Sequence, residues 1–229
     1  MAPEKPQEVD VCVVGLGPAG RALAYRATQA GLGVRVVDPR PNRLWSPTYA
    51  CWVDELPPWL PQTAVATTIP APTAWTRVAH RIDRPYCVLS KAELRTAMPL
   101  DDATIVIGRA ARVEPHRVEL YDHRVITASA VCDARGSVVT GRRRAASTYG
   151  LFLSERNATP MITDDNGLLM DWRPTNGAGS NAPPSFLYAM PLGDGTVLFE
   201  ETSLGLLEAC RDTNYTGDWC IDLPLMASG

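Results

Sequence analysis

The sequence predicts an α/β fold, a Rossmann-like nucleotide-binding domain interleaved with a β-rich second domain. Three observations carry this. An N-terminal strand–glycine turn–helix–strand unit opens the chain. A run of β-like segments over 104–133 returns toward it and ends in C-D-A-R-G. Apolar, β-prone segments separated by turn residues fill 167–204. The first pattern is that of a parallel βαβ unit, and the last that of an antiparallel sheet.

V-D-V-C-V-V, residues 9–14, is a short β-branched run that reads as a buried parallel strand. G-L-G-P-A-G follows at once and supplies Gly15, Gly17 and Gly20. Gly15 suits the tight turn out of the strand, Gly17 lets a pyrophosphate approach the backbone, and Gly20 lets the helix pack close. The helix R-A-L-A-Y-R-A-T-Q-A offers its N-terminal N–H groups to phosphate and ends at Gly31. V-R-V-V-D then forms a second strand ending in Asp38, 18 residues after Gly20 and suited to accept from ribose hydroxyls. FAD and NAD(P) both fit this fingerprint. Its place at the start of the chain, before a long irregular segment, favours FAD.

Residues 39–75 are rich in Pro and Trp, too long for a plain loop, and read as an insertion or as short helical turns. Trp45, Trp52 and Trp59 serve either as packing or as walls around an apolar ligand. R-P-Y-C-V-L-S-K-A-E-L-R, 84–95, reads as a strand, an N-cap at Ser90 with Glu93 three residues on, and a helix. Arg84 and Arg95 are either structural or in contact with flavin or phosphate. T-I-V-I-G, R-V-E-L-Y and V-I-T-A-S-A-V-C-D are strands, and the last brings Asp133 and Gly136 back beside the cofactor. The run G-R-R-R, 141–144, reads as a solvated face, with anionic lipid as the alternative. M-D-W-R and F-L-Y-A-M-P are two further strands. G-D-G, 193–195, turns the chain into T-V-L-F-E-E-T, where Glu200 and Glu201 sit side by side. Alternate side chains of a strand face opposite ways, so only one of them can enter a given cavity.

The chain has 229 residues, 45% apolar, and a net charge of −3, so no basic field suits a nucleic acid. It contains no apolar run of about 18 residues, and MAPEKPQEVD lacks the apolar centre of an export signal. The six cysteines, at 12, 51, 87, 132, 210 and 220, form no C-x-x-C pair and do not cluster with histidine, so no metal site is expected. Cys12 and Cys132 read as buried thiols, and a reducing cytoplasm is the expected location.

The motifs V-V-G-L-G-P-A-G-R-A-L-A, R-P-Y-C-V-L-S-K-A-E-L-R, C-D-A-R-G, M-D-W-R, F-L-Y-A-M-P and F-E-E-T-S-L occur in an order that resembles the lycopene β-cyclase family of FAD-associated carotenoid cyclases. The resemblance covers about residues 8–205. The family usually reads Phe-Leu-Glu-Glu-Thr, and Leu198 and Phe199 here exchange the first two residues. The resemblance implies an FAD-binding domain over 8–44 and 99–150, a substrate domain over 45–98 and 151–205, and an atypical tail over 206–229. That tail departs from the family's continuation, so the C-terminal part of the family fold is expected to be missing. The implied reaction closes rings at the ends of linear lycopene by acid catalysis. It has no net redox change but uses reduced FAD, with NADPH as reductant.

By this resemblance Glu200 is the first candidate for acid or cation stabiliser and Glu201 the second, with Asp171 sharing their carboxylate network. Gly15, Gly17, Gly20, Asp38, Asp133 and Gly136 would hold the flavin. Burial keeps a glutamic acid protonated. Aromatic faces, with Tyr188 and Trp172 as candidates, and a reduced flavin would hold the cation. A polyene substrate implies peripheral association with a membrane surface. Two other readings stand beside this one: a redox FAD/NAD(P)H enzyme of the aromatic hydroxylase type, and an inactive truncated fragment.

Overall fold

The computed structural model describes residues 9–136, 145–159, 162, 167–173 and 184–206. The run at 141–144, Cys210, Cys220 and the tail beyond 206 lie outside the described residues. In chain order the strands are β1 (Val9–Val14), β2 (Val34–Asp38), β3 (Ala50–Trp52), β4 (Val65–Ile69), β5 (Thr73–Trp75), β6 (Ala79–Arg81), β7 (Tyr86–Leu89), β8 (Ala103–Ile107), β9 (Ala110–Glu114), β10 (Arg117–Leu120), β11 (Val125–Asp133), β12 (Ala145–Ser154), β13 (Leu168–Asp171), β14 (Ser185–Pro191) and β15 (Thr196–Leu206). The helices are α1 (Pro18–Gln29), α2 (Lys91–Thr96) and α3 (Glu155–Ala158).

Two compact units divide the chain, Met1–Pro47 with Lys91–Val138 and Thr48–Ser90 with Val139–Gly229. Trp45 and α2 therefore go with the first unit, although the expected boundaries put them in the substrate domain.

In the first unit a six-stranded sheet has the order β8-β2-β1-β11-β10-β9. β1 pairs in parallel with both β2 and β11. Its place between two strands suits the apolar run from Val11 to Val14, whose Cys12, Val13 and Val14 are buried on alternate faces of the sheet. Cys12 and Val14 pack with Val37, Val118, Leu120 and Ile126, while Val13 turns to Ala24, Ala27 and Val36. Burial pushes the Cys12 thiol up to about 11, in keeping with its reading as a buried thiol. β11 is shared. Its start pairs antiparallel with β10, and its end runs parallel to β1, which returns Asp133 to the level of Val14.

In the second unit a six-stranded sheet has the order β12-β15-β14-β13-β5-β6, and a three-stranded sheet the order β3-β7-β4. The segment 39–75 contributes two 3₁₀ turns, Val53–Glu55 and Gln62–Ala64, together with β3, β4 and β5. β15 is an interior strand, paired with β12 between Thr196 and Leu206 and with β14 between Val197 and Ser203. Ala158 of α3 packs on Ala189, Val197 and Phe199, which closes one face of this sheet.

Candidate functional site

In the first unit the glycine turn takes the shape its sequence requires. Gly15 has φ +103°, and a Cβ there would lie 2.7 Å from the Ala134 carbonyl oxygen. Only glycine accommodates both the angle and the approach. A Cβ at Gly20 would collide with the Gly15 carbonyl, so α1 sits directly on the turn. Gly17 is different: no atom of the described residues lies within 4 Å of where its Cβ would be. The same holds at Gly136.

The N-terminus of α1 has Gly17 at its cap, no side-chain cap, a proline in the first turn and no acidic residue there. Its N–H groups and positive dipole end are left for an anion. Asp38 accepts from the Leu16 N–H at 2.7 Å and from the Arg40 N–H at 2.6 Å. Each of its oxygens keeps a second lone pair for a further donor. An open glycine, an uncapped helix end and a strand-end carboxylate together fit a dinucleotide.

Asp133 is engaged by its neighbour. Arg135 Nε donates to Oδ1 at 2.8 Å and Nη2 to Oδ2 at 2.6 Å. This fork holds the Asp133 carboxyl below its usual range. Arg95 donates to the carbonyls of Arg43 and Pro41. Arg84 binds Asp54 and Glu55 and lies 4.6 Å from the centre of the Trp52 ring. Both arginines therefore have structural partners.

The two glutamates lie in the second unit on opposite faces of β15. Glu200 is in register with Tyr188 of β14 and Gly150 of β12. Glu201 is in register with Leu187 and Tyr149. Around Glu200 the same face carries Leu198, Met190, Phe186 and Thr202, all buried. Burial raises the Glu200 pKa above that of an ordinary glutamate, and a long 3.5 Å contact from Thr202 Oγ1 offsets it only in part. The Tyr188 phenol is raised as well, first by burial and then by the Glu200 charge.

Aromatic rings continue from this point. Trp172 and Phe186 have ring centres 4.7 Å apart, and Phe186 and Tyr188 meet edge to face at 4.9 Å. Tyr86 of β7 is pushed up to about 12 by burial and by Tyr188, and meets Trp52 edge to face at 4.9 Å. An acid whose pKa burial raises can donate a proton to a group held beside it, and such faces can stabilise a cation formed nearby. Nothing in the sequence alone brings Trp52 and Tyr86 here. Tyr86 precedes Tyr188 by about a hundred residues, and no local pattern links them.

Asp171 corrects an expectation. It does not share a network with Glu200 but is in register with Leu187, in the row of Glu201. Arg173 binds it with Nε at 2.9 Å and Nη2 at 2.5 Å, and the guanidinium stacks 4.1 Å from the centre of Trp75. The pair holds the buried Asp171 carboxyl low and charged, so it is no proton donor. Its depressed pKa stabilises the fold above the unfolded value near 3.9 and ceases to as pH falls through the lower folded value. Arg173→Met should cost about 2–3 kcal/mol at pH 7, because it strands a buried charge. The loss should shrink as pH falls from the ordinary carboxylate value near 3.9 through the lower folded value, where Asp171 takes up a proton, and a series of thermal melts across pH checks this.

Several known proteins are similar to this chain over most of its length. The family described as "Lycopene cyclase protein" matches residues 10–216. An "Uncharacterized carotenoid cyclase" of Deinococcus radiodurans is 32% identical over 223 residues, covering 89% of this chain and 52% of that protein. A "Lycopene beta cyclase, chloroplastic" of Arabidopsis thaliana is 29% identical over 227 residues, covering 87% and 44%. The chain thus spans about half the length of these curated relatives. Among solved structures, 2-methyl-3-hydroxypyridine-5-carboxylic acid oxygenase shares the fold at TM-score 0.59 and 16% identity, covering 86% of this chain and 59% of that one. A geranylgeranyl bacteriochlorophyll reductase-like protein of Thermoplasma acidophilum does so at TM-score 0.56 and 18% identity, covering 86% and 56%.

Proposed function

Because the chain belongs to the lycopene cyclase family, we propose that it takes part in the flavin-dependent, non-redox cyclisation of the ends of linear carotenes such as lycopene. The observation that carries this reading is Glu200: a half-buried carboxyl on an interior strand, raised in pKa by burial and set beside Tyr188. In this reading Glu200 protonates the terminal double bond. The resulting tertiary cation is attacked by the neighbouring double bond, which closes the ring, and loss of a ring proton restores neutrality. Protons gained and lost balance, so no electrons are consumed. The faces of Tyr188, Phe186 and Trp172 are suited to stabilise the positive charge. Asp171, held ionised in its pair with Arg173, serves the frame.

Gly15, Gly17, Gly20, Asp38, Asp133 and Gly136 are the residues we assign to FAD. The open sides of Gly17 and Gly136 and the uncapped end of α1 support that assignment. Reduced FAD, with NADPH as the reductant, would supply negative charge that favours a carbocation. No helix among the described residues is long and apolar enough to cross a membrane. A hydrocarbon substrate resides in lipid, so we assign the protein a peripheral place at the membrane surface.

Expression of the chain in a lycopene-accumulating host tests the reading. Conversion of lycopene to ringed carotene is the expected result. Lycopene left intact, or oxygen consumed with NADPH by the purified protein, would speak against it. A yellow absorbance spectrum after FAD is added to the purified chain checks the cofactor separately.

A further inference from the structure

We infer that Trp45 is a positioning residue for the flavin-binding glycine turn, fixing the orientation of the peptide that joins Leu16 to Gly17. This rests on the flavin reading of that turn. Leu16 stands between Gly15 and Gly17, and both of its backbone groups are held by side chains. Its N–H donates to Asp38 Oδ2 at 2.7 Å. Its carbonyl accepts from Trp45 Nε1 at 3.1 Å. A trans peptide carries its C=O and its N–H on opposite edges of one rigid plane. Holding the Leu16 oxygen therefore aims the Gly17 N–H the other way.

That control is needed because Gly17 has no side chain to resist rotation, and no atom of the described residues lies within 4 Å of its Cβ position. A glycine there can adopt either hand of backbone, so the Leu16–Gly17 plane can flip. A flipped plane would present a carbonyl oxygen where a phosphate is to bind, and the two would repel. The hydrogen bond from Trp45 selects the productive orientation.

The indole is itself fixed. It is 7% exposed, and the segment bearing it hangs from α2 at points on either side. Arg95 Nη1 donates to the Arg43 carbonyl at 3.0 Å, and Nη2 to the Pro41 carbonyl at 3.1 Å. Arg95 Nη2 also reaches Asn42 Oδ1 at 3.3 Å, and Lys91 Nζ donates to the Ser46 carbonyl at 3.0 Å. Fixed points thus run from α2 through 41–46 to Trp45 and on to the turn. Arg95 acts on the cofactor turn through Trp45.

The test uses the full chain with Trp45→Phe, which keeps an aromatic ring but removes the donor, and with Arg95→Met, which keeps the stem but removes the guanidinium. Flavin affinity is read by titration with FAD, and the amides of Gly15, Leu16 and Gly17 by hydrogen exchange without flavin. Trp45→Phe should weaken FAD binding about tenfold, the worth of one buried hydrogen bond, and speed exchange at the turn by at least as much. Arg95→Met should weaken binding less, and add little in the Trp45→Phe background. Unchanged exchange and FAD affinity within twofold of the parent would overturn the inference. A parent chain that binds no FAD would remove the flavin reading, while the exchange data still decide whether Trp45 orients the turn. If Trp45→Phe does not fold, the exchange and affinity of Arg95→Met decide the question in its place.

Discussion

Glu200→Gln should abolish ring formation, lowering carotene cyclisation by about a thousandfold or more, while FAD binding and the fold persist. Glutamine keeps the size and polarity of the side chain and removes only the transferable proton. Among the described residues in register with it, none is a carboxylic acid. The Tyr188 phenol in register with it is raised rather than lowered, and Asp171 is held charged by Arg173. Glu201→Gln should cost tenfold or less, because Glu201 faces the row of Leu187 and Tyr149 on the other side of the sheet. The pH dependence has a definite sign. The Glu200 pKa is raised, so its acid form survives to higher pH than that of a surface glutamate, and activity should fall as pH rises through that value. The same shift makes wild-type stability greatest when Glu200 is protonated and lower once it ionises. Glu200→Gln should therefore melt higher than wild type at pH 8 and alike at pH 4. A variant that still makes ringed carotene would remove Glu200 from the acid role, and one that melts lower at pH 8 would show that burial does not set its pKa.

Much of the fold was legible because its signals are local. β1, α1 and β2 are consecutive, and glycine spacing, an apolar run and a strand-end acid all lie within thirty residues. The hairpin of β14 and β15 was legible for the same reason, with G-D-G between two alternating strands. β9 and β12 were not. β9 interleaves Arg112 and Glu114 with its apolar residues at the end of its sheet. β12 is the edge strand beside β15 and leaves Tyr149, Leu151 and Phe152 exposed. Neither carries the burial that makes a strand recognisable in sequence. The register that separates Glu200 from Glu201 follows from strand alternation alone. What stands beside each does not, because Tyr86 reaches Tyr188, and Trp45 reaches Leu16, only once the chain is folded. The Asp171 expectation fails in a different way. Its partner Arg173 is only two residues on, but the sequence does not say that the two close on each other, and an unpaired acid would be free to join the glutamates.

The glycines of the turn should separate folding from cofactor binding more sharply than any other substitutions. Gly20→Val places a Cβ against the Gly15 carbonyl, backbone against backbone, where no side chain can move aside. Either α1 lifts from β1 or the turn opens, and each exposes the cluster of Val13, Ala24 and Ala27. A cost of about 3 kcal/mol or more is expected, enough to leave much of a marginally stable chain unfolded. Gly17→Val meets open space, so its fold should survive, with a melting temperature within a few degrees of wild type. Yet that open space is where a pyrophosphate would lie against the backbone, and an isopropyl group would occupy it. FAD binding should then fall at least a hundredfold, as a bulky group displaces the phosphate from the end of α1. Flavin titration and thermal melts on the two variants give opposite patterns: one folded and colourless, the other poorly folded. Tight FAD binding by Gly17→Val would place the dinucleotide elsewhere, because a backbone site cannot accept both a pyrophosphate and a branched side chain in the same few ångströms.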